Sequence, residues 1–170
     1  MIIRAATDAD RPAIAELHTE SWRDAYRAIL PADLLDRTLA PIMAGRWADQ
    51  PIGPSDAVLV AAEDGAILGF AASWAGDPAY IDNLHVAAAA RSRGIGRGLL
   101  AETARHFLGI GRRRALLHVV ASNHRARALY LALGGRPAGI EDKNLYGTTV
   151  PNERIEWDDL ELLLARASAG

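Results

Sequence analysis

The spacing of apolar positions changes along the chain, and each change marks an element. Residues 2–5 read as a short strand, and Thr7-Asp-Ala-Asp10 then stands where a helix cap with an acidic first turn belongs. Ile14, Leu17, Ser21 and Trp22 follow at helical spacing. Pro31 opens a second short helix through Leu34 and Leu35, and residues 41–47 add a further turn or two. From Val58 the period shortens. Residues 58–63 and 67–74 form two strands around the hairpin signal Asp64-Gly65, and residues 80–86 form a third. Helical spacing resumes at Gly94 and runs to about Leu108, where Gly109 and Gly111 end it. Residues 115–120 are β and residues 123–133 helical. Residues 136–140 and 149–157 form a last pair of strands, and residues 158–167 a C-terminal helix.

This order predicts a single α/β (α+β) domain over residues 1–170. Its core is a mixed, mostly antiparallel sheet of about seven strands with helices on both faces. Half the residues are in the hydrophobic class, but no stretch reaches the roughly 18 to 20 consecutive apolar residues that span a bilayer, so no membrane partner is expected. The first residues lack a basic segment followed by a long apolar run, which leaves a cytoplasmic location as the expectation. Cysteine is absent, which excludes disulfides, thiolate metal sites and covalent catalysis by cysteine.

A formal charge of −2 offers no global field for nucleic acid, and no nucleic-acid partner is expected. Locally, Arg91, Arg93, Arg97, Arg105, Arg112, Arg113 and Arg114 share a segment whose only carboxylate is Glu102. Such a run is either a solvated helix face or the seat of an anionic ligand. In Asn83-Leu-His-Val-Ala-Ala-Ala-Ala-Arg91-Ser-Arg-Gly94-Ile-Gly96-Arg-Gly98 a strand ends, a loop follows, and glycines open a helix. A helix start presents unpaired backbone N–H groups and the positive end of the helix dipole, and glycine lets a phosphate approach closely. Read from Gly94, the dinucleotide-binding fingerprint fails at Leu99. Read from Gly96 it fits a looser form ending in Ala101, without the acidic residue roughly 20 positions on. The Gly-Lys-Ser/Thr of a P-loop is also missing. Glycines placed only for close packing remain open on spacing alone.

Arg91-Ser-Arg-Gly94-Ile-Gly96 resembles the acyl-CoA-binding motif of the GNAT superfamily of N-acetyltransferases, Q/R-x-x-G-x-G/A. Ile81-Asp-Asn-Leu-His-Val86 resembles that family's fourth strand. Asn123-His-Arg-Ala126-Arg-Ala-Leu-Tyr130-Leu-Ala-Leu-Gly134 is similar to its second signature, N-x-x-A-x-x-x-Y followed by Leu-Gly. The family often has Phe next, where this chain has Gly135, which predicts looser packing under the last strands.

The resemblance implies acetyl-CoA as co-substrate, with no metal, and direct attack of an amine on the thioester. The pyrophosphate would rest on Arg91, Arg93, Gly94, Ile95, Gly96, Arg97 and Gly98. The pantetheine arm would pair with the backbone of Leu84, His85 and Val86 on a strand that splays from its neighbour. Asn123 and Ala126 would lie along the same arm. Tyr130 matches the family's general acid, although Ala126, Leu129, Tyr130 and Leu133 also share the face of a core helix.

Asp82 is the best-matched base, and strand alternation puts it on a face with Tyr80, Leu84 and Val86, away from His85. Glu63 is a weaker alternative, and the histidines show no metal-ligand spacing. Trp22 and Tyr26, with Glu20 or Asp24 to attract a cation, are candidate walls of the acceptor pocket. One helical turn apart, the two aromatics suit core packing equally, Trp22 more so. The expected acceptor is a small-molecule or peptide amine, the alternatives being acetylation of a protein N-terminus or lysine and an acyl-CoA-binding sensor without turnover. The apolar strip Leu160, Leu163 and Leu164 suggests a homodimer.

Overall fold

The computed structural model describes residues 1–169. The chain runs through β1 (Ile2–Ala5), α1 (Arg11–Tyr26), α2 (Leu39–Asp49), β2 (Ala57–Glu63), β3 (Ala66–Trp74) and β4 (Ala79–Val86). It continues through α3 (Ile95–Gly109), β5 (Ala115–Val120), α4 (His124–Ala132), β6 (Arg136–Leu145), β7 (Thr148–Trp157) and α5 (Leu160–Ser168). The seven strands form one sheet in the order β1-β2-β3-β4-β5-β7-β6. All neighbours are antiparallel except β4 and β5, which are parallel. The expected mixed sheet with helices on both faces is the observed one.

On one face, Ile14, Ala15 and Leu17 of α1 and Trp47 of α2 pack on Val58, Val60, Phe70 and Ala72. On the other, α3 buries Ile95 and Leu99 against Ala61 and Ala71, and Leu100, Ala104 and Phe107 against α4, α5 and β7. At Asp10, the turn before α1 is tied back to β1. Its carboxylate accepts from both Arg4 guanidinium nitrogens, at 2.7 and 2.8 Å, and from the Thr7 amide at 2.7 Å. Those bonds, the ones from Arg4 foremost, hold the Asp10 carboxyl well below the usual carboxylate range.

Three expectations are corrected. The two short helices read around Pro31 and Pro41 are one helical run, which begins as a wide π-helical turn (Leu34–Thr38) and continues as α2. Leu35, Leu39, Met43 and Trp47 recur every four residues and are almost wholly buried. The wide turn falls just before Pro41, whose ring cannot sit over the carbonyl of a regular preceding turn. The last strand pair is longer than expected, because Tyr146 and Gly147, both with positive φ, form a tight hairpin between Leu145 and Thr148. Finally, Leu160 and Leu163 are buried within the chain against α3 and Leu164 is half-buried, so two of the three residues of the strip offered for a homodimer are covered.

Nor does Gly135 loosen the structure. A Cβ there would stand 2.6 Å from Ile155 Cγ2, 2.8 Å from the Tyr130 carbonyl oxygen and 3.0 Å from Trp157 Cζ2. Trp157, buried and donating to the Leu133 carbonyl at 3.1 Å, fills the space that an aromatic at 135 would need. Restoring the family's aromatic with Gly135→Phe should therefore destabilise the protein. Overpacking costs about 1–3 kcal/mol, and each kcal/mol is worth roughly 2–4 °C at this size. Thermal unfolding is the check, and a raised Tm would contradict the packing described.

Candidate active site

β4 and β5 are hydrogen-bonded neighbours only at Ala79↔Ala115 and Tyr80↔Leu116. Past that point each strand stays with its outer neighbour: β4 with β3 as far as Val86, and β5 with β7 as far as Val120. The two therefore diverge. A cleft of about 960 Å³ opens between them, lined by residues 80–86 of β4 and 117–120 of β5. Backbone groups on the inner edge of β4 have no strand to pair with there, and buried N–H and C=O groups need partners.

Register explains where the side chains point. Ala72 pairs with Asn83 but Ser73 pairs with Ile81, so Asp82 is an extra residue, a β-bulge. The bulge shifts the alternation by one. Leu84 and Val86 face α3, packing with Ile95 and Leu99. Asp82 faces α2, where Arg46 donates to its Oδ2 at 2.8 Å, and His85 faces α1, 4.7 Å from the ring of His18. The face shared by Asp82, Leu84 and Val86 that strict alternation implies is thus broken, and Asp82 and His85 lie on the same side.

The loop after β4 delivers the glycine-rich turn to the head of the cleft. Ser92 has φ 66° and Gly94 φ 78°, two left-handed residues that turn successive amides outward. The first helical amide to be satisfied is that of Gly98, which donates to the Gly94 carbonyl at 2.9 Å. Those of Ile95, Gly96 and Arg97 are left free at the start of α3. Gly96 lines the cleft, and a Cβ on it would meet nothing of the chain closer than Leu129 Cδ2 at 3.5 Å.

Gly98 is different. A Cβ there would lie 2.7 Å from Ile3 Cδ1, so this glycine serves helix packing on β1 rather than the cleft. Arg93 also leaves the group expected of it, since its guanidinium holds Glu63 at 2.8 Å away from the cleft. That contact, with the N-terminal amine, depresses the Glu63 carboxyl and removes Glu63 as a candidate for the cleft. Arg91 and Arg97 do line the cleft, Arg91 paired with Asp24 and Arg97 donating to the Arg166 carbonyl at 2.8 Å. Elsewhere in the arginine run, Arg105 pairs with Glu102 on its own helix, Arg113 with Glu161 and Arg114 with Asp77.

Asn123 caps α4 by accepting from the Ala126 amide at 3.1 Å, and both residues line the cleft. Two turns on, Tyr130 belongs to core and cleft alike. It is only 6% exposed, sits edge-on to Trp157 at 6.0 Å, and reaches the cleft wall. Burial pushes its hydroxyl well above the ordinary tyrosine range, so the proton stays on at neutral pH.

At the other end of the cleft, Trp22 and Tyr26 pack at a tilt of 46° with centroids 4.7 Å apart, and Tyr146, from the β6–β7 hairpin, meets Trp22 edge-on at 6.1 Å. Both α1 aromatics serve packing and line the cleft. Three donors converge on Asp82 Oδ2: Arg46, Trp74 Nε1 at 3.0 Å and Asn83 Nδ2 at 2.9 Å. Sequence reasoning missed Arg46, Arg125, Lys143 and Tyr146 as cleft residues. Tyr146 carried a local signal, the following Gly147, and Arg125 stands on α4 between the expected Asn123 and Ala126; Arg46 and Lys143 arrive from elements distant in sequence.

The chain belongs to the acetyltransferase (GNAT) family, whose sequence model matches residues 12–134. It is 24% identical over 168 residues to an uncharacterized N-acetyltransferase of Bacillus subtilis, covering 95% of each chain. Among solved structures it is similar to the ribosomal-protein-alanine N-acetyltransferase of Brucella melitensis (TM-score 0.68, 22% identity, 92% of this chain and 99% of that one). It is likewise similar to a phosphinothricin acetyltransferase of Sinorhizobium meliloti solved with acetyl-CoA (TM-score 0.70, 22% identity, 92% and 86%). Among the described residues no helix is long and apolar enough to cross a membrane, and no cluster of three or more His, Asp or Glu could hold a metal.

Below the cleft, Trp47 Nε1 donates to His18 Nδ1 at 3.1 Å, which fixes the neutral tautomer with its proton on Nε2. Burial, then His85 and Arg46, push His18 down to about 2, and burial and Arg46 push His85 down to about 4. Both lowered values mean rings that stay neutral until the pH falls below them. Their imidazole NMR signals should therefore be flat from about pH 8 to pH 5; a midpoint near the ordinary histidine value in either would refute this electrostatic picture.

Proposed function

We propose that the chain transfers an acetyl group from acetyl-CoA to a primary amine of a small molecule, by direct attack and without a metal. One observation carries this reading. Two surfaces of unsatisfied backbone, the inner edge of β4 and the first turn of α3, converge on one cleft. An extended amide-bearing arm fits the first surface and a pyrophosphate the second. The residues suit the ligand: Gly96 leaves room for phosphate oxygens, and Arg91, Arg97 and Arg125 add charge at the same end.

The backbone of Leu84, His85 and Val86 pairs with the pantetheine arm. The amides of Gly94, Ile95, Gly96 and Arg97 hold the pyrophosphate. Asn123, Ala126 and Tyr130 flank the arm from α4. Acetyl-CoA, when bound, supplies an activated thioester. Asp82, whose Oδ1 receives none of the three donors that occupy Oδ2, receives the acceptor's ammonium and passes one proton to solvent. Tyr130 Oη gives a proton to the departing sulfur as the N–C bond forms and the C–S bond breaks, and regains it from the nitrogen. Trp22, Tyr26 and Tyr146 wall the acceptor end, and that aromatic wall supports a small molecule.

Gly96→Val should fold, since its Cβ would meet Leu129, Val86 and Leu84 only at ordinary contact distances of 3.5 to 4.0 Å, and should lose coenzyme A binding in calorimetric titration. Unchanged affinity in the folded variant sinks the cradle. Tyr130→Phe should keep coenzyme A affinity while turnover falls, at the small end of the ~10²–10⁴-fold typical of general acid–base catalysis. Full activity would make Tyr130 a packing residue, and a joint loss of affinity would make its hydroxyl a cofactor ligand.

A further inference from the structure

The charges at the acceptor end define the acceptor more narrowly, taking the acetyl-transfer reading as given. A cationic amine would be drawn by free carboxylates, yet the cleft wall has few. Asp82 and Asp24 are the only carboxylates among the cleft-lining residues, and each is already paired with an arginine, Arg46 and Arg91 respectively. Cations are in excess there. Arg46 spends one nitrogen on Asp82 and keeps the rest of its guanidinium, and Lys143 enters from β6 with one of its three donors spent on Glu141 at 3.1 Å.

A second observation points the same way. His118 on β5 lines the cleft, and both its ring nitrogens are shielded from solvent without a hydrogen-bond partner. Glu141 stands 3.3 Å from Nε2 outside hydrogen-bond geometry, itself engaged by Lys143 at 3.1 Å. Across the β5–β7 ladder lies Arg154, which is outside the cleft wall and holds Glu156 at 2.6 Å. Among the described residues, His118 alone therefore carries the unmet polar groups at the cleft. A buried imidazole N–H left without an acceptor is costly, and an anion at this floor would accept from it.

We propose that the acceptor carries a carboxylate or similar compact anion beside its amine, as an amino acid does. Asp82 takes the ammonium and the Arg46–Lys143–His118 side takes the anion. A polyamine or other polycation would bring its remaining charges against Arg46 and Lys143 and is excluded. The aromatic wall of Trp22, Tyr26 and Tyr146 then receives the rest of the molecule.

The test compares three matched acceptors at each of several side chains: the α-amino acid, its carboxamide and the decarboxylated amine. Coenzyme A binding is first measured by calorimetry, and transfer is then read as free thiol. The chain has no cysteine to interfere with that readout. The amino acid should exceed both neutral-tailed forms in kcat/KM by about 10- to 100-fold, the range of a hydrogen-bonded charge. Lys143→Met should shrink that preference while leaving coenzyme A affinity as it was.

Equal or faster transfer to the carboxamides, or to polyamines, overturns the anionic acceptor and leaves the acetyltransferase reading standing. Coenzyme A binding with no transfer to any amino acid also overturns it. No binding of coenzyme A overturns the underlying reading and this proposal together.

Discussion

The divergence of β4 and β5 is the constraint on which the rest of the molecule depends. Two parallel strands that part after two pairs of residues leave backbone donors and acceptors inside a folded core. Such groups are tolerated only if something completes them. Each strand keeps its outer ladder intact, so the opening is rigid on both sides and cannot close by collapse. The bulge at Asp82 sits at the mouth of the split and locally re-aims the strand. It turns a carboxylate and a histidine toward α1 and α2 while Leu84 and Val86 anchor β4 on α3.

The glycines divide the labour of the same region. Gly69 lets the first turn of α3 approach the sheet, since a Cβ there would stand 2.9 Å from Ile95 Cγ2. Gly98 does the same against β1, and only Gly94 and Gly96 shape the cradle itself. One short motif thus serves two purposes, fixing the helix against the sheet and leaving its N-terminus bare. Tyr130 shows a similar economy. The burial that makes it part of the core also keeps its hydroxyl protonated in the cleft.

Much of this was legible in the sequence where the cause is local. The hairpin at Asp64-Gly65 and the helix opening at Gly94 each follow from residues within a turn of one another. The resemblance of residues 80 to 135 to family motifs supplied the cleft, the cradle and Tyr130. What failed was non-local. Nothing in Ile81-Asp-Asn announces a bulge, because a bulge is a property of two paired strands. The pairing of Arg93 with Glu63 spans thirty positions, and Arg46 reaches Asp82 across thirty-six. Gly135 looked like a missing aromatic because Trp157, which fills that space, lies on another strand. Leu160 and Leu163 looked like an exposed strip because α3, which covers them, is some fifty residues away in the chain.

Hydrogen–deuterium exchange with and without coenzyme A tests the central claim most directly. The free backbone groups of the split sheet and of the helix start form one binding surface. Coenzyme A should therefore slow exchange at two separate segments, residues 83–86 of β4 and 94–97 at the start of α3, and leave the outer strands β1 and β6 unchanged. Binding that protects neither segment, or only the helix start, would contradict the role given to the divergence of β4 from β5.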